Sequence, residues 1–202
     1  VLEHLPAATV FMGVPTYYTR LLADARFTRE RAASVRVFIC GSAPLLPATF
    51  AQFEARTGQR ILERYGMSEA GIITSNPRAG ERVPGTVGYA LPGFELRVVD
   101  GDGREVAPHV AGMLEIRGPS VFGGYWRRPE LQASEFRDGW FVTGDLVTRA
   151  GDGRVTIVGR ARDLVISGGF NVYPKEIALE IDALPGVIEA AGIRVPRPDF
   201  GD

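Results

Sequence analysis

The chain has 202 residues, enough to bury a substantial core as one large domain or as one domain with part of another. Its 23 basic and 24 acidic residues give a formal charge of −1, which excludes a global positive field for nucleic acid or an anionic membrane and leaves any anion site to local groups. Hydrophobic content of 45% and a mean hydropathy of +0.01 are ordinary for a globular protein, and apolar runs such as residues 8–14 are too short to span a bilayer. Val1-Leu2-Glu3-His4 carries no start Met, basic region or long apolar region, so no signal peptide is read and the chain is expected to be cut from a longer protein at both ends. A single cysteine, Cys40, excludes an internal disulfide framework, fits a reducing, cytoplasmic compartment, and reads as a small buried residue ending a strand.

The first third alternates strand and helix signals. The run Thr9 to Val14 is followed by Pro15, a good first helical residue, and a helix-like stretch to Ala25. Val35 to Cys40 reads as a second strand, Gly41-Ser42-Ala43-Pro44 as a loop, Pro47 to Arg56 as a helix closed by Gly58, and Ile61 to Tyr65 as a third strand. This order predicts a largely parallel sheet with ligands beyond the strands' carboxyl ends. From about Pro84 the pattern changes to short strands of antiparallel type: Glu95 to Val99, Met113 to Arg117, Trp140 to Thr143, Asp145 to Thr148 and Arg154 to Val158. Gly-Asp-Gly-Arg at Gly101 to Arg104 and again at Gly151 to Arg154 predicts two hairpin turns. A calcium loop at Asp100 is excluded, because Arg104 and Ala111 occupy positions that need oxygen ligands. Leu164 to Ser167 predicts a strand, Gly168 to Asn171 a loop, Pro174 to Ala183 a helix and Ile188 to Val195 a further strand.

Three segments carry chemistry. Tyr65-Gly66-Met67-Ser68-Glu69-Ala70-Gly71 is expected on the loop after the third strand, where a hydroxyl beside a carboxylate suits a phosphate and its magnesium; the alternative is a polar turn with Ser68 capping a helix. Thr143-Gly144-Asp145 is expected to put a carboxylate at a strand end. Gly159-Arg160-Ala161-Arg162-Asp163 supplies a guanidinium. An Asp accepting from ribose hydroxyls and an Arg donating to ribose or phosphate suit a nucleotide, and a structural ion pair is the alternative.

In order along the chain, Gly41-Ser42-Ala43-Pro44, Tyr65-Gly66-Met67-Ser68-Glu69, Glu115-Ile116-Arg117-Gly118-Pro119, Gly123-Gly124-Tyr125-Trp126, Thr143-Gly144-Asp145 and Gly159-Arg160 with Asp163 resemble the acyl-CoA synthetase, adenylation-domain and luciferase superfamily of adenylate-forming enzymes. The resemblance implies an α/β fold: residues 1–160 would be the C-terminal part of the large domain, with 1–80 α/β and 81–160 β-rich, and 161–202 a hinge and the start of a small α+β domain. It implies that Gly41, Ser42 and Ala43 line an adenine pocket, that Tyr65 stacks on the base beside Gly66 and Met67, that Ser68 binds the α-phosphate and that Glu69 holds magnesium. Ser68 stands where the family usually has Thr, and the hydroxyl survives. Asp145 and Arg160 would contact ribose, Asp163 would be the hinge, and the Ser167-Gly168-Gly169 loop would reach coenzyme A.

The implied reaction joins a carboxylate to ATP as an acyl-adenylate, then transfers the acyl group to coenzyme A. The family's phosphate loop and its C-terminal lysine lie outside this sequence, so the chain alone is expected to be a poor catalyst or none. Lys175 sits too early to be that lysine, and either contacts coenzyme A phosphates or is solvated. Residues 8–20, Gly41 to Leu45 and Leu62 to Met67 resemble malonyl-CoA synthetases, which points to a malonate-like acid. A dicarboxylic acid needs a cation for its far carboxylate, for which Arg20 is the candidate; Ser42 would add a hydrogen bond, and Met67 or Ile72 would limit the pocket at the α-carbon. An amino-acid adenylation domain and a non-catalytic nucleotide-binding remnant are the competing readings.

Overall fold

The computed structural model describes residues 1–167, 170–187 and 190–192. The chain folds into two compact units. The first comprises Val1–Glu95, Gly118–Gly123 and Asp152–Thr156; the second comprises Leu96–Arg117, Gly124–Gly151 and Ile157–Asp202.

In the first unit the elements run β1 (Val10–Gly13), α1 (Pro15–Ala23), α2 (Arg29–Ala32), β2 (Val37–Cys40), α3 (Pro47–Thr57), β3 (Leu62–Met67), β4 (Gly71–Ser75) and β5 (Tyr89–Ala90). Proline opens α1 and α3, where its fixed φ suits a helix and its missing N–H costs nothing. α2 starts at Thr28, whose hydroxyl accepts from the Arg31 amide at 3.4 Å. α3 ends at Gly58 in the left-handed region (φ 71°), with its amide donating to the Glu54 carbonyl at 2.8 Å. β1 and β2 pair in parallel, as do β2 and β3, and β4 then returns antiparallel to β3 with β5 beyond it. The expected parallel sheet is present, but the strand after β3 was not foreseen.

The core of this unit is aromatic. The Phe53 ring centroid lies 4.8 Å from that of Phe38, 5.5 Å from Tyr18 and 5.7 Å from Phe27, and all four side chains are buried. The Tyr18 hydroxyl donates to the Ile39 carbonyl at 2.6 Å, which ties α1 to β2; burial holds the phenol well above its ordinary pKa. Cys40 ends β2 buried, as expected, and burial, with the Glu63 charge second, pushes its thiol up to about 12. Asn76 pins the loop after β4: its amide donates to the carbonyls of Glu63 (3.2 Å) and Thr86 (2.7 Å), while its oxygen accepts from the Val83 amide (3.3 Å). A Cβ on Gly88 would lie 2.1 Å from the Ser75 carbonyl oxygen, so only glycine fits there.

In the remainder the elements are β6 (Glu95–Val99), β7 (Gly112–Arg117), α4 (Pro129–Glu135), β8 (Phe136–Arg137), β9 (Trp140–Arg149), β10 (Val155–Arg160), β11 (Val165–Ser167), β12 (Phe170–Val172) and α5 (Pro174–Asp182). One sheet runs β10-β9-β7-β6 with β8 on β9, and β11 pairs antiparallel with β12. Both Gly-Asp-Gly-Arg segments are turns. Asp100 accepts from the Asp102 and Arg104 amides, each at 2.9 Å, and Asp152 accepts from the Arg154 amide at 3.0 Å.

Trp140 to Thr143 and Asp145 to Thr148, expected as separate strands, are one strand. Gly144 adopts φ 74° and the β7–β9 register shifts between Met113 and Glu115, so the chain bulges there and continues pairing. Glu115 on β7 is fully buried between two arginines: Arg97 Nη2 lies 2.6 Å from Oε2 and Arg137 Nη1 lies 3.3 Å from Oε1. The Arg97 guanidinium in turn sits 4.6 Å from the Trp140 ring centroid. Of the strand expected over Ile188 to Val195, residues 190–192 carry no strand and the rest lies outside the described residues. Among the described residues no helix is long and apolar enough to cross a membrane.

Two substitutions probe this architecture. Phe53→Ala empties the centre of the aromatic cluster and should destabilise the chain by about 3–5 kcal/mol, read as a lower denaturant midpoint. At Gly66 a Cβ would meet backbone, 2.3 Å from the Gly71 carbonyl oxygen and 2.9 Å from the Ile72 Cα. Gly66→Ala should therefore strip amide-exchange protection from residues 64–75 while β1 and β2 keep theirs, at an overpacking cost of about 1–3 kcal/mol.

Candidate functional site

The first unit brings two loop-borne groups to the carboxyl ends of β2 and β3. After β2, Gly41 is buried, Ser42 takes a left-handed conformation (φ 69°), and Ser42, Ala43 and Pro44 are exposed while Leu45 is buried. A non-glycine residue there is strained, and the buried residues on either side hold it. After β3 the expected loop is shorter than the sequence suggested. Tyr65, Gly66 and Met67 are still strand, paired with Thr74, Ile72 and Gly71 through a bulge between Tyr65 and Gly66, and only Ser68, Glu69 and Ala70 form the turn. No helix follows, so Ser68 caps none.

That turn is clamped. The Ala70 amide donates to the Met67 carbonyl (3.2 Å), the Ser120 hydroxyl to the Ala70 carbonyl (2.8 Å) and the Phe122 amide to the Glu69 carbonyl (2.7 Å). Ser68 is exposed and Glu69 half-buried. The Tyr65 hydroxyl lies 3.9 Å from the Met67 sulfur, so both side chains share one face of the strand, and Ile72 is exposed on β4. A hydroxyl and a carboxylate held this way can donate to a phosphate oxygen and ligate a hard cation. Among the described residues no group of three acidic, His or Cys side chains is placed for a metal.

Arg64 was not singled out by sequence reasoning. Its guanidinium packs over Gly41, where a Cβ would lie 2.7 Å from its Cζ and Nη1, and its Nε is buried with no hydrogen-bond partner. A buried donor left unmet costs about 1–3 kcal/mol. No sequence pattern marks this; the glycine at the end of the neighbouring strand makes the space. Arg20, by contrast, is exposed in the last turn of α1, whose buried face is Tyr18 and Leu21.

The second unit holds the other expected pair. Asp145 is not at a strand end but inside β9, just past the Gly144 bulge, because the bulge turns it without ending the strand. The Thr143 hydroxyl donates to the Leu114 carbonyl (2.8 Å) and accepts from the Asp145 amide (3.1 Å). Asp145 is buried, and the half-exposed Arg160 reaches its Oδ1 with Nε at 3.4 Å. A buried carboxylate with a cation beside it can accept from a pair of vicinal hydroxyls while the guanidinium takes a neighbouring oxygen. Asp163 ends a 3-10 turn, Ala161–Asp163, and pairs with Arg162 at 3.7 Å. Ser167 ends β11, whereas Gly168 and Gly169 lie outside the described residues.

The family model described as AMP-binding enzyme matches residues 6–126. The crystal structure of ATP-bound MatB from Rhodopseudomonas palustris superimposes with a TM-score of 0.96 at 57% identity, covering 99% of this chain and 40% of that one. A mouse mitochondrial malonate–CoA ligase is 36% identical over 228 residues, covering 97% of this chain and 39% of the relative. A feruloyl-CoA synthase of an Amycolatopsis species is 38% identical over 199 residues, covering 96% and 40%. The chain thus spans about two fifths of the length of the relatives it matches. Its mixed sheet with an antiparallel sheet after it is the fold of the adenylate-forming domain. The chain belongs to the AMP-binding enzyme family, whose members related to it include acid–CoA ligases.

Proposed function

We propose that this chain is the part of an AMP-forming acid–CoA ligase that receives ATP, and that the acid it activates is malonate or a close homologue such as methylmalonate. The observation that carries the choice of acid is the buried, unpartnered Nε of Arg64 over Gly41. A monocarboxylic acid gives that donor nothing, whereas the far carboxylate of a short dicarboxylic acid would complete it in a bidentate pair. The likeness to MatB and to a malonate–CoA ligase supports the same reading. Arg20 is the second candidate for the far carboxylate, and Ser42, Met67 and Ile72 would shape the pocket around it.

In this reading Gly41 to Ala43 and Tyr65 to Met67 take the adenine, and the Ser68 hydroxyl donates to the α-phosphate. Asp145 accepts from the ribose hydroxyls, with Arg160 beside it. Glu69 would hold Mg2+, which when bound neutralises charge on the phosphates. The acid's near carboxylate displaces pyrophosphate at the α-phosphorus, giving acyl-adenylate, and the thiol of coenzyme A then displaces AMP. The chain's own contribution to the first step is positioning: the clamped turn fixes the hydroxyl where charge spreads on the phosphoryl oxygens, and needs no reorganisation to do so. Residues 161–202 are assigned to a hinge at Asp163 and a small domain, with Ser167 to Gly169 on the coenzyme A side.

The likeness to a feruloyl-CoA synthase favours an aromatic acid as the second reading. A pyrophosphate-release panel on the protein that carries this chain, with malonate, methylmalonate, acetate, ferulate and several amino acids, separates the two. Malonate should exceed acetate by about 10³-fold or more in kcat/KM, because a site built on polar recognition rejects the analogue that lacks the group. Arg64→Ala should collapse that ratio by lowering malonate alone. Equal losses for both acids would remove Arg64 from recognition, and preference for ferulate would replace malonate.

A further inference from the structure

Residues 118–122 belong to the first unit and form a tight turn, closed by the Val121 amide donating to the Gly118 carbonyl at 3.2 Å. Pro119 stands second in it, where a fixed φ suits the geometry. One end of the turn rests on the loop after β5. A Cβ on Gly118 would lie 2.7 Å from Cδ1 of Phe94 and 3.2 Å from the Gly93 carbonyl oxygen, so the glycine lets the turn seat against residues 93 and 94. Those residues are themselves tied to the sheet: the Phe94 amide donates to the Leu91 carbonyl at 3.0 Å, and the Leu91 amide to Ile73, in the middle of β4, at 2.9 Å. The other end reaches the turn after β3. The Ser120 hydroxyl donates to the Ala70 carbonyl at 2.8 Å across 50 residues of sequence, and the Phe122 amide to the Glu69 carbonyl at 2.7 Å. Residues 118–122 thus brace the β3–β4 turn against the loop that hangs from β4.

The two bonds to the β3–β4 turn differ in kind. The Phe122 amide is backbone, and every residue but proline supplies one. The Ser120 hydroxyl is a side-chain choice, since alanine would fit this exposed turn position equally well. With Ser120 exposed, water could take its place at the Ala70 carbonyl, so the bond adds little to stability. Water does not supply a covalent tie to an anchored turn. The bond therefore acts on where Ser68, Glu69 and Ala70 stand and not on whether their turn forms.

We propose that Ser120 is a positioning residue for the adenylate-forming step: through Ala70 it fixes the Ser68 hydroxyl against the α-phosphate. This rests on the nucleotide reading of Ser68, but not on which acid is activated. In that step a carboxylate oxygen bonds to the α-phosphorus, the bond from phosphorus to pyrophosphate breaks with its electron pair leaving on pyrophosphate, and charge shifts over the phosphoryl oxygens. In the next step the thiol sulfur bonds to the acyl carbon, the bond from that carbon to AMP breaks, and the thiol proton passes to water. Phosphorus is a reacting atom only in the first step. Misplacing a donor aimed at it slows the first and spares the second.

The two steps are measured apart in the protein that carries this chain. Pyrophosphate release is followed in single turnover with the best acid of the panel and no coenzyme A, and AMP release from pre-formed acyl-adenylate with coenzyme A. Ser120→Ala should lower the first rate about ten-fold at saturating ATP, less than the roughly 100-fold of a 1 Å misplacement. The ATP concentration for half-maximal rate and the second step should stay within about two-fold of wild type. Ser120→Thr keeps the hydroxyl and should restore the first rate. In a Ser68→Ala background Ser120→Ala should add almost nothing, because it acts through Ser68. Equal losses in both steps, or a full effect in the Ser68→Ala background, would make Ser120 merely structural and overturn the proposal. A wild-type protein that releases no pyrophosphate with any acid overturns the reading of the site and the role of Ser120 with it. A wild-type rate that Ser120→Ala leaves unchanged overturns the role of Ser120 alone.

Discussion

The turn that carries Ser68 and Glu69 depends on one close approach, that of the Gly66 backbone to Gly71. With no side chain at Gly66, the Gly71 carbonyl lies where a Cβ would be, 2.3 Å from that ideal position. Strands β3 and β4 can then stay paired to within three residues of each other's ends, through a bulge at Tyr65 and Gly66. The turn left over has room for Ser68, Glu69 and Ala70 and nothing else. Two bonds from residues 120 and 122 to its carbonyls remove the freedom that remains. A hydroxyl and a carboxylate on a free loop would each sample several rotamers and backbone states. On this turn only the side-chain torsions are left, which is the condition for positioning a phosphoryl group to a fraction of an ångström.

The second unit reaches the same end through charge. Glu115 is fully buried, and a carboxylate there is tolerable only beside cations: Arg97 on β6 donates to Oε2, and Arg137 on β8 lies 3.3 Å from Oε1 as a charge partner without a hydrogen bond. Losing either arginine would take the cation from one oxygen of the buried carboxylate, so β6, β7 and β8 are held to one register. Next to Glu115, the Leu114 carbonyl accepts from Thr143, and the Thr143 hydroxyl accepts from the Asp145 amide. The placement of Asp145 therefore descends from the register of β7, not from the bulge alone.

Much of this was legible in the sequence, for reasons that differ by element. Helices α1, α3 and α5 each begin at a proline, and α3 ends at Gly58, so local torsional preference marked their limits. The Asp-Gly turns are equally local, because Asp100 and Asp152 bond amides two to four residues on. What was missed is non-local. β4 begins at Gly71 and was absorbed into a loop because Tyr65 to Gly71 carries turn-forming residues, and strand pairing overrode that preference. Gly144 looked like a strand break, but pairing with β7 carries the chain through it. The ordered motifs pointed to Ser68, Glu69, Asp145 and Arg160. Of the residues that hold these in place, Ser120 and Phe122 come from another loop and left no local pattern, whereas Thr143 and Glu115 lie inside the ordered motifs, which do not say what each one bonds.

Arginine shows most clearly why residue type alone misleads here. This chain carries 22 of them, and the structure spends many on its own backbone. Arg56 donates to the Leu22 carbonyl at 2.6 Å, Arg31 to Leu2 at 3.3 Å, Arg149 to Leu96 at 3.1 Å, and Arg82 to Pro77 at 3.1 Å and Arg78 at 2.8 Å. Others close turns on the aspartate two residues before them, as Arg26 and Arg154 do. An arginine near a motif is thus as readily a tie as a ligand-binding group, and Arg20, chosen by position, lies exposed on a helix. What separates Arg64 is an unmet requirement. Arg60 also has a buried Nε without a hydrogen bond, but Glu54 lies 3.3 Å from it, whereas Arg64 faces a glycine. A buried donor without an acceptor costs the fold free energy that an arriving acceptor would return, which is the physical basis of the role proposed for Arg64.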